Sequence, residues 1–271
     1  MSEIQNNQQA NTENEGNKVF FDYANYYDLL YRDKDYKLET DYVTDLIRTF
    51  LPSARTILEL GSGTGIHACL LAEKGFKVHG IERSSEMLSQ SRALAKEKNL
   101  GSEIVDFYGG DIRELRLDKR FDIVISLFHV ISYQTTNQDV TKAFKMARQH
   151  LNPGGLFIFD VWYGPAVLTE KPEVRIKRME DEKVEVTRFA EPILHPNENL
   201  VDVNYHIFIR DRESGHVKEL KEAHKMRYFF KTEIELLSYH VDFDLIHTEE
   251  WLTRADIDTT TWGVCFVLMA R

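Results

Sequence analysis

Cysteine is scarce in this chain, and its two copies, Cys69 and Cys265, stand far apart in the sequence. That separation excludes a disulfide framework, and the lack of closely spaced pairs excludes a cysteine zinc site, so no metal is expected. Both thiols read as buried packing residues of a reducing compartment. Long apolar runs are missing as well, since no stretch approaches the roughly 20 residues that span a bilayer. Residues 1–18 are rich in Asn, Gln, Glu and Ser and hold no basic region followed by an apolar run. They read as a disordered tail, neither signal peptide nor anchor, and a cytoplasmic location is the expectation. Positive charge is outnumbered: 34 Lys and Arg against 44 Asp and Glu give a net charge of -10. No overall field therefore draws nucleic acid or an anionic membrane. The expected partner is a small molecule, with no nucleic acid and no membrane, and a homodimer is the self-association allowed for. No internal repeat is evident.

What is present is the composition of a folded protein, 42% hydrophobic, 29% charged and 11% aromatic, which argues against wholesale disorder. Its 271 residues suit one α/β domain carrying an insertion. Residues 20–50 have helical spacing, with Tyr26, Tyr27, Leu30 and Tyr31, then Tyr42, Leu46, Ile47 and Phe50 at intervals of three and four. Strand signals at 56–60, 77–82, 104–108, 121–127 and 156–161 alternate with helical segments at 65–74, 85–95 and 140–150. That alternation implies a parallel sheet. Asn152-Pro153-Gly154-Gly155 reads as the turn into the fifth strand. From 162 the rhythm changes to four antiparallel-type strands at 174–179, 184–190, 201–210 and 217–229, before a helix at 232–240 and strands at 243–251 and 262–270. The expected fold is therefore a seven-stranded Rossmann-like sheet with helices on both faces and a small antiparallel sheet inserted after the fifth strand. The expected divisions are 1–18 as tail, 19–161 with 230–271 as core, and 162–229 as an inserted substrate-binding subdomain.

After the first strand comes Glu59-Leu60-Gly61-Ser62-Gly63-Thr64-Gly65. A sharp turn that a ligand must approach closely needs glycine, which has no Cβ. A nicotinamide-binding loop has the spacing Gly-x-Gly-x-x-Gly/Ala. Here the third small position holds Ile66, and Gly65 comes one residue early. Glu59 adds an acid beside the turn, which repels a pyrophosphate but suits the ammonium of adenosylmethionine. Glu82, ending the second strand, can accept hydrogen bonds from ribose hydroxyls. Asp111, after the third, can take an adenine amino group while Ile112 packs on the ring. Three acids at the C-terminal ends of successive strands converge on one crevice.

Glu59 to Gly65, Val78-His79-Gly80-Ile81-Glu82, Gly109-Gly110-Asp111, Phe121-Asp122-Ile123-Val124 and Leu151-Asn152-Pro153-Gly154-Gly155 together resemble the ordered motifs of class I S-adenosylmethionine-dependent methyltransferases. Tyr27-Asp28-Leu29-Leu30-Tyr31, Lys34-Asp35-Tyr36 and Trp162-Tyr163 are similar to segments of the N,N-dimethyltransferases acting on nucleotide-linked amino sugars. The chain departs from those enzymes in its longer tail and in His129, where they carry a small residue. The resemblance implies a donor site of Glu59, Gly61, Ser62, Gly63, Gly65, Glu82, Arg83, Met87, Asp111, Ile112 and Leu127. It also implies an acceptor side of Tyr27, Tyr36, Trp162, Tyr163, His224 and Arg227, with His129 and Tyr31 as the residues placed for proton transfer. N-methylation of an amino sugar nucleotide is the function implied. Its alternatives are O- or N-methylation of another small metabolite, or a non-catalytic module binding the same donor.

Plainer readings stand beside these. Glu82 and Asp111 also suit helix N-caps, His129 a core histidine, and the tyrosines a packed helix face. His224 and Arg227, three apart on a strand, point to opposite faces, so one of them at most reaches a substrate. Arg175, Lys177 and Arg178 read as a solvated strand face.

Overall fold

The structure, a computed structural model, describes residues 34–271, so Tyr27, Tyr31 and the 1–18 tail lie outside the described residues. The chain divides into two compact units. The larger holds 35–172, 194–201 and 225–271; of the described residues, the smaller holds Lys34, 173–193 and 202–224.

In the larger unit, helix α1 (Tyr36–Phe50) starts at Asp35, whose carboxylate accepts the Leu38 N–H at 2.8 Å and satisfies a donor that the first turn leaves open. Then follow β1 (Thr56–Leu60), α2 (Ile66–Glu73), β2 (Lys77–Glu82), α3 (Ser85–Glu97), β3 (Val105–Gly109), β4 (Phe121–Ser126), a 3-10 turn (Val130–Tyr133), α4 (Asn137–Gln149), β5 (Leu151–Tyr163) and α5 (Gly164–Glu170). After the inserted strands come α6 (Lys231–His240), β10 (Phe243–Glu250) and β11 (Gly263–Ala270). Strands β3, β2, β1, β4 and β5 lie side by side in parallel. β11 runs antiparallel to β5, and β10 antiparallel to β11. This is the seven-stranded arrangement read from the sequence, and its order reverses between β1 and β4, where ligands of such sheets bind.

Successive strand residues point to opposite faces, and both faces are apolar because both are covered. Ile57, Ile123, Ile125 and Ile158 join one core cluster with Val43 and Ile47 of α1 and Leu71 of α2. Leu58, Leu60, Val124, Phe157 and Phe159 join the other with Phe144 of α4 and Ile234 of α6. Cys69 and Cys265 are both free thiols buried in the first cluster. The turn expected at 152–155 exists as an irregularity inside β5: Phe121 pairs with Leu151, Ile123 already pairs with Leu156, and Gly154 has φ +75°. Helix α5 had no counterpart in the sequence reading; it is a two-turn segment opened by a proline near its start, too short for periodicity to show.

The smaller unit is built on β6 (Arg175–Glu180), β7 (Val184–His195), β8 (Leu200–Asp211) and β9 (Val217–Phe229), which neighbour one another in the order β9-β8-β7-β6. β6 and β7 pair antiparallel from Arg175↔Ala190 to Glu180↔Glu185. Arg175 and Arg178 are exposed. The last residues of β9 belong to the larger unit, where Tyr228 and Phe229 pair with Trp162 and Tyr163 of β5. No helix among the described residues is long and apolar enough to cross a membrane.

Candidate active site

The turn after β1 is built from three left-handed glycines, Gly61, Gly63 and Gly65, with φ of +75°, +54° and +80°. The Gly61 and Ser62 N–H groups both donate to the Ile81 carbonyl at 2.9 Å, which ties the turn to the end of β2. A Cβ on Gly61 would stand 2.7 Å from the methyl carbons of Val130, and one on Gly65 would stand 2.7 Å from Ser91 Cβ and 2.8 Å from Phe107. Around Gly63 nothing lies within 4 Å of such an atom. The outer glycines therefore serve packing, and Gly63 faces open space.

Glu82 projects under this turn and is 9% exposed. Its Oε2 accepts the Gly63 N–H at 2.8 Å and its Oε1 the Ser84 N–H at 2.7 Å. Burial raises its pKa, and the backbone donors of Ser84, Gly63 and Arg83 offset that only in part. Each oxygen keeps a second lone-pair direction for an added donor. Ser84 caps α3 by accepting the Met87 N–H at 3.3 Å, and Met87 is buried at that corner. Asp111 lies past β3, beside the buried Ile112. Its carboxylate is gripped by Arg113, whose Nε and Nη2 donate at 2.8 and 2.6 Å while Nη1 reaches Asp139 at 2.9 Å. Burial alone would raise the Asp111 pKa, but Arg113 outweighs it and the net shift is downward. Arg83 stands 4.0 Å from the same carboxylate.

Glu59, 1% exposed, lies beneath the turn with its Oε1 3.8 Å from His67 Nδ1. His67 Nε2 lies 2.7 Å from Glu39 of α1, and Tyr36 packs edge-on to the His67 ring with centroids 5.0 Å apart. Sequence reading missed His67 and Glu39, which place a buried imidazole between two carboxylates. Leu127 is core.

Past β4, Phe128 and His129 are consecutive non-glycine residues in the left-handed region, φ +63° and +61°. Such conformers cost roughly 1–3 kcal/mol each and persist where surroundings over-determine them. The over-determining group is Asp160 of β5, 1% exposed, whose Oδ2 accepts the His129 N–H at 3.1 Å. The same oxygen stands 2.7 Å from His129 Nδ1, an ion-pair distance outside hydrogen-bond geometry. Asp160 was also missed, though an acid inside the run Phe157-Ile158-Phe159-Asp160-Val161 is itself a signal. Trp162 sets its ring edge-on to both His129 and Trp262, with centroids 6.2 Å apart in each case.

Tyr163, grouped with Trp162 in the sequence reading, points the other way and sits in the core cluster of Phe159 and Phe229. Strand alternation separates the two rings. Arg227 is buried, donating to Asn137 Oδ1 at 2.7 Å, contacting Glu233, and lying over the Phe229 ring. It joins β9 to the starts of α4 and α6. His224 lies in the smaller unit with its Nε2 3.2 Å from Glu222 and its ring edge-on to Tyr205.

The crevice fits adenosylmethionine on its own features. Gly63 is open to a close ligand, Ser62 Oγ is buried with no hydrogen-bond partner among the described residues, and Glu82 has capacity for hydroxyls. A pyrophosphate would meet the buried charge of Glu59, whereas an ammonium would be drawn to it. Residues 57–155 match the family model described as a methyltransferase domain, and the fold is that of Rossmann-like methyltransferases. Among curated proteins the chain resembles the dTDP-3-amino-3,4,6-trideoxy-alpha-D-glucopyranose N,N-dimethyltransferase of Streptomyces venezuelae, 28% identical over 79% of this chain and 86% of that one. Among solved structures, DesVI of Streptomyces venezuelae aligns at 25% identity with a TM-score of 0.74, covering 92% of this chain and 98% of its own. An S-adenosylmethionine-dependent methyltransferase from Clostridium acetobutylicum ATCC 824 shares the fold, with a TM-score of 0.78 at 23% identity over 93% of this chain and 98% of that one.

Proposed function

We propose that the chain N-methylates a nucleotide-linked amino sugar. The observation that carries this reading is the likeness to an amino sugar N,N-dimethyltransferase across 79% of the chain, a span too long to be the donor domain alone. Bound adenosylmethionine supplies a methyl group activated by a sulfonium. The chain's share is to hold donor and acceptor in line and to exclude water. Glu82 takes the ribose hydroxyls, Ser62 and Gly63 line the amino-acid end, Glu59 favours its ammonium, and Asp111 with Ile112 marks the adenine end. Trp162 and His129 stand on the acceptor side.

A hydroxyl acceptor is the second reading, favoured by the presence of a histidine beside a buried acid, the arrangement of a general base. Incubation with isotopically labelled donor and a panel of amino sugar nucleotides and their hydroxyl analogues, read by mass spectrometry, tests both. The proposal expects one or two labelled methyl groups on an amino sugar. Labelled hydroxyl analogues alone would replace it with O-methylation, and an unlabelled panel would assign the chain another metabolite.

A further inference from the structure

Asp111 is held at three points by one neighbour. Its Oδ1 accepts both the backbone N–H of Arg113 at 2.9 Å and the Arg113 Nε at 2.8 Å, and its Oδ2 accepts Nη2 at 2.6 Å. Arg113 is pinned on its far side as well, where Nη1 donates to Asp139 Oδ1 at 2.9 Å. Asp139 is fixed in turn at the start of α4: its Oδ2 accepts the Thr136 hydroxyl at 2.8 Å, and its N–H donates to Thr136 Oγ1 at 3.1 Å. The side chains of Asp111, Arg113 and Asp139 are 24, 28 and 21% exposed, so the chain of contacts lies largely out of water. The Gly110 N–H donates to the Glu82 carbonyl at 3.0 Å, which fastens the segment carrying Asp111 to the strand end carrying Glu82. Burial works against the charge of Asp111, yet Arg113 keeps its carboxyl below the ordinary value.

A carboxylate oxygen offers two lone-pair directions. Arg113 uses both on Oδ1 and one on Oδ2. Arg83, the residue after Glu82, stands 4.0 Å from Oδ2, beyond hydrogen-bond reach. We infer that Arg113 is a positioning residue that sets base specificity: it presents Asp111 as a fixed acceptor with one open direction, on Oδ2, which takes an exocyclic amino hydrogen and turns away a 6-oxo group. The inference rests on the proposed adenine end at Asp111 and deepens it. An amino group meets that oxygen as a donor. The oxo group of hypoxanthine brings a second acceptor against a carboxylate, and a site built to pair with a donor rejects the analogue that lacks it. A carboxyl free to turn or to take up a proton would donate to the oxo group instead and would not tell the two bases apart. Holding it at both oxygens needs the planar fork of arginine, because an ammonium is a point charge.

Calorimetric titration of the whole protein with S-adenosylhomocysteine, which carries the donor's base and ribose, and with its 6-oxo counterpart S-inosylhomocysteine tests this. Wild type should prefer the amino base at least about tenfold, as for one hydrogen bond to a charged group. Arg113→Met should weaken binding of the amino ligand and reduce the preference by at least about threefold. Arg113→Lys keeps the charge without the fork and should fall between the two; it carries the test where Arg113→Met fails to fold. A merely structural role would weaken both ligands alike, so an unchanged ratio of affinities in the Arg113 variants overturns the inference. Asp111→Asn separates that failure from a failure of the reading beneath it. Preference lost in Asp111→Asn but kept in the Arg113 variants leaves Asp111 at the adenine end and strikes Arg113. Equal binding of both ligands to wild type removes Asp111 from the adenine end, and the inference falls with it.

Discussion

Gly63 and Gly65 share a left-handed backbone but differ in their surroundings, and that difference separates ligand contact from fold. Gly65→Ala meets Ser91 and Phe107 at under 3 Å, so the helix–sheet contact must shift, at a cost of about 1–3 kcal/mol from overpacking in addition to backbone strain. Gly63→Ala meets no protein atom within 4 Å and should cost only the left-handed penalty of about 1–2 kcal/mol. Chemical denaturation should rank the two in that order. Donor titration should show Gly63→Ala losing affinity out of proportion to its stability loss, because on the proposed reading the open space there receives the donor; intact affinity would show that the donor does not approach Gly63. Glu82 makes a second prediction at this scale. Burial raises its folded pKa, so its contribution to stability is fully present below the ordinary carboxylate value and is lost as pH rises through the folded one. With Glu82 in its proposed role toward the ribose hydroxyls, donor affinity should run the other way across that window, since those hydroxyls are best accepted by the ionised carboxylate. Opposed slopes in wild type, both flattened in Glu82→Gln, are the expected outcome of melts and titrations over weakly acidic pH; parallel slopes would contradict it.

At the scale of elements, alternation along β5 sends Tyr163 into the core and Trp162 to the other face, the one proposed to meet the acceptor. Trp162→Ala should raise the Michaelis constant for the acceptor while donor affinity holds, whereas Tyr163→Ala should chiefly lower the melting temperature, because its ring is core. Equal kinetic effects would show that alternation does not separate them. The glycine turn and the strand-end acids were legible in the sequence because they are local: spacing and residue type fix them. The partners of His129, Glu59 and Arg227 were not, since Asp160, His67 and Asn137 reach them only through the sheet's cross-strand order or through helix packing. Asp111 was legible as an acid at the right place, but its hold by Arg113 depends on a side chain two residues on that the pattern did not rank. Helix α5 escaped because two turns are too short to display a period, and the turn at 152–155 was read correctly in chemistry but lies within β5 as a bulge.

For the whole molecule, the seven-stranded sheet followed from alternating strand and helix signals, and two core clusters hold it from either face. Phe144, fully buried among Phe157 and Phe159, fastens α4 to one of them, and Phe144→Ala should lower stability by about 3–5 kcal/mol in a denaturant melt. The same arrangement brings the ends of β1, β2 and β3 to one crevice, and the central claim is that this crevice holds adenosylmethionine. Calorimetric titration of the whole protein with adenosylmethionine, beside Glu82→Ala, tests it most directly. The account predicts saturable binding to wild type and a loss of about 1–3 kcal/mol of binding free energy in the variant. Absence of binding to wild type, or an unchanged dissociation constant in Glu82→Ala, would contradict it.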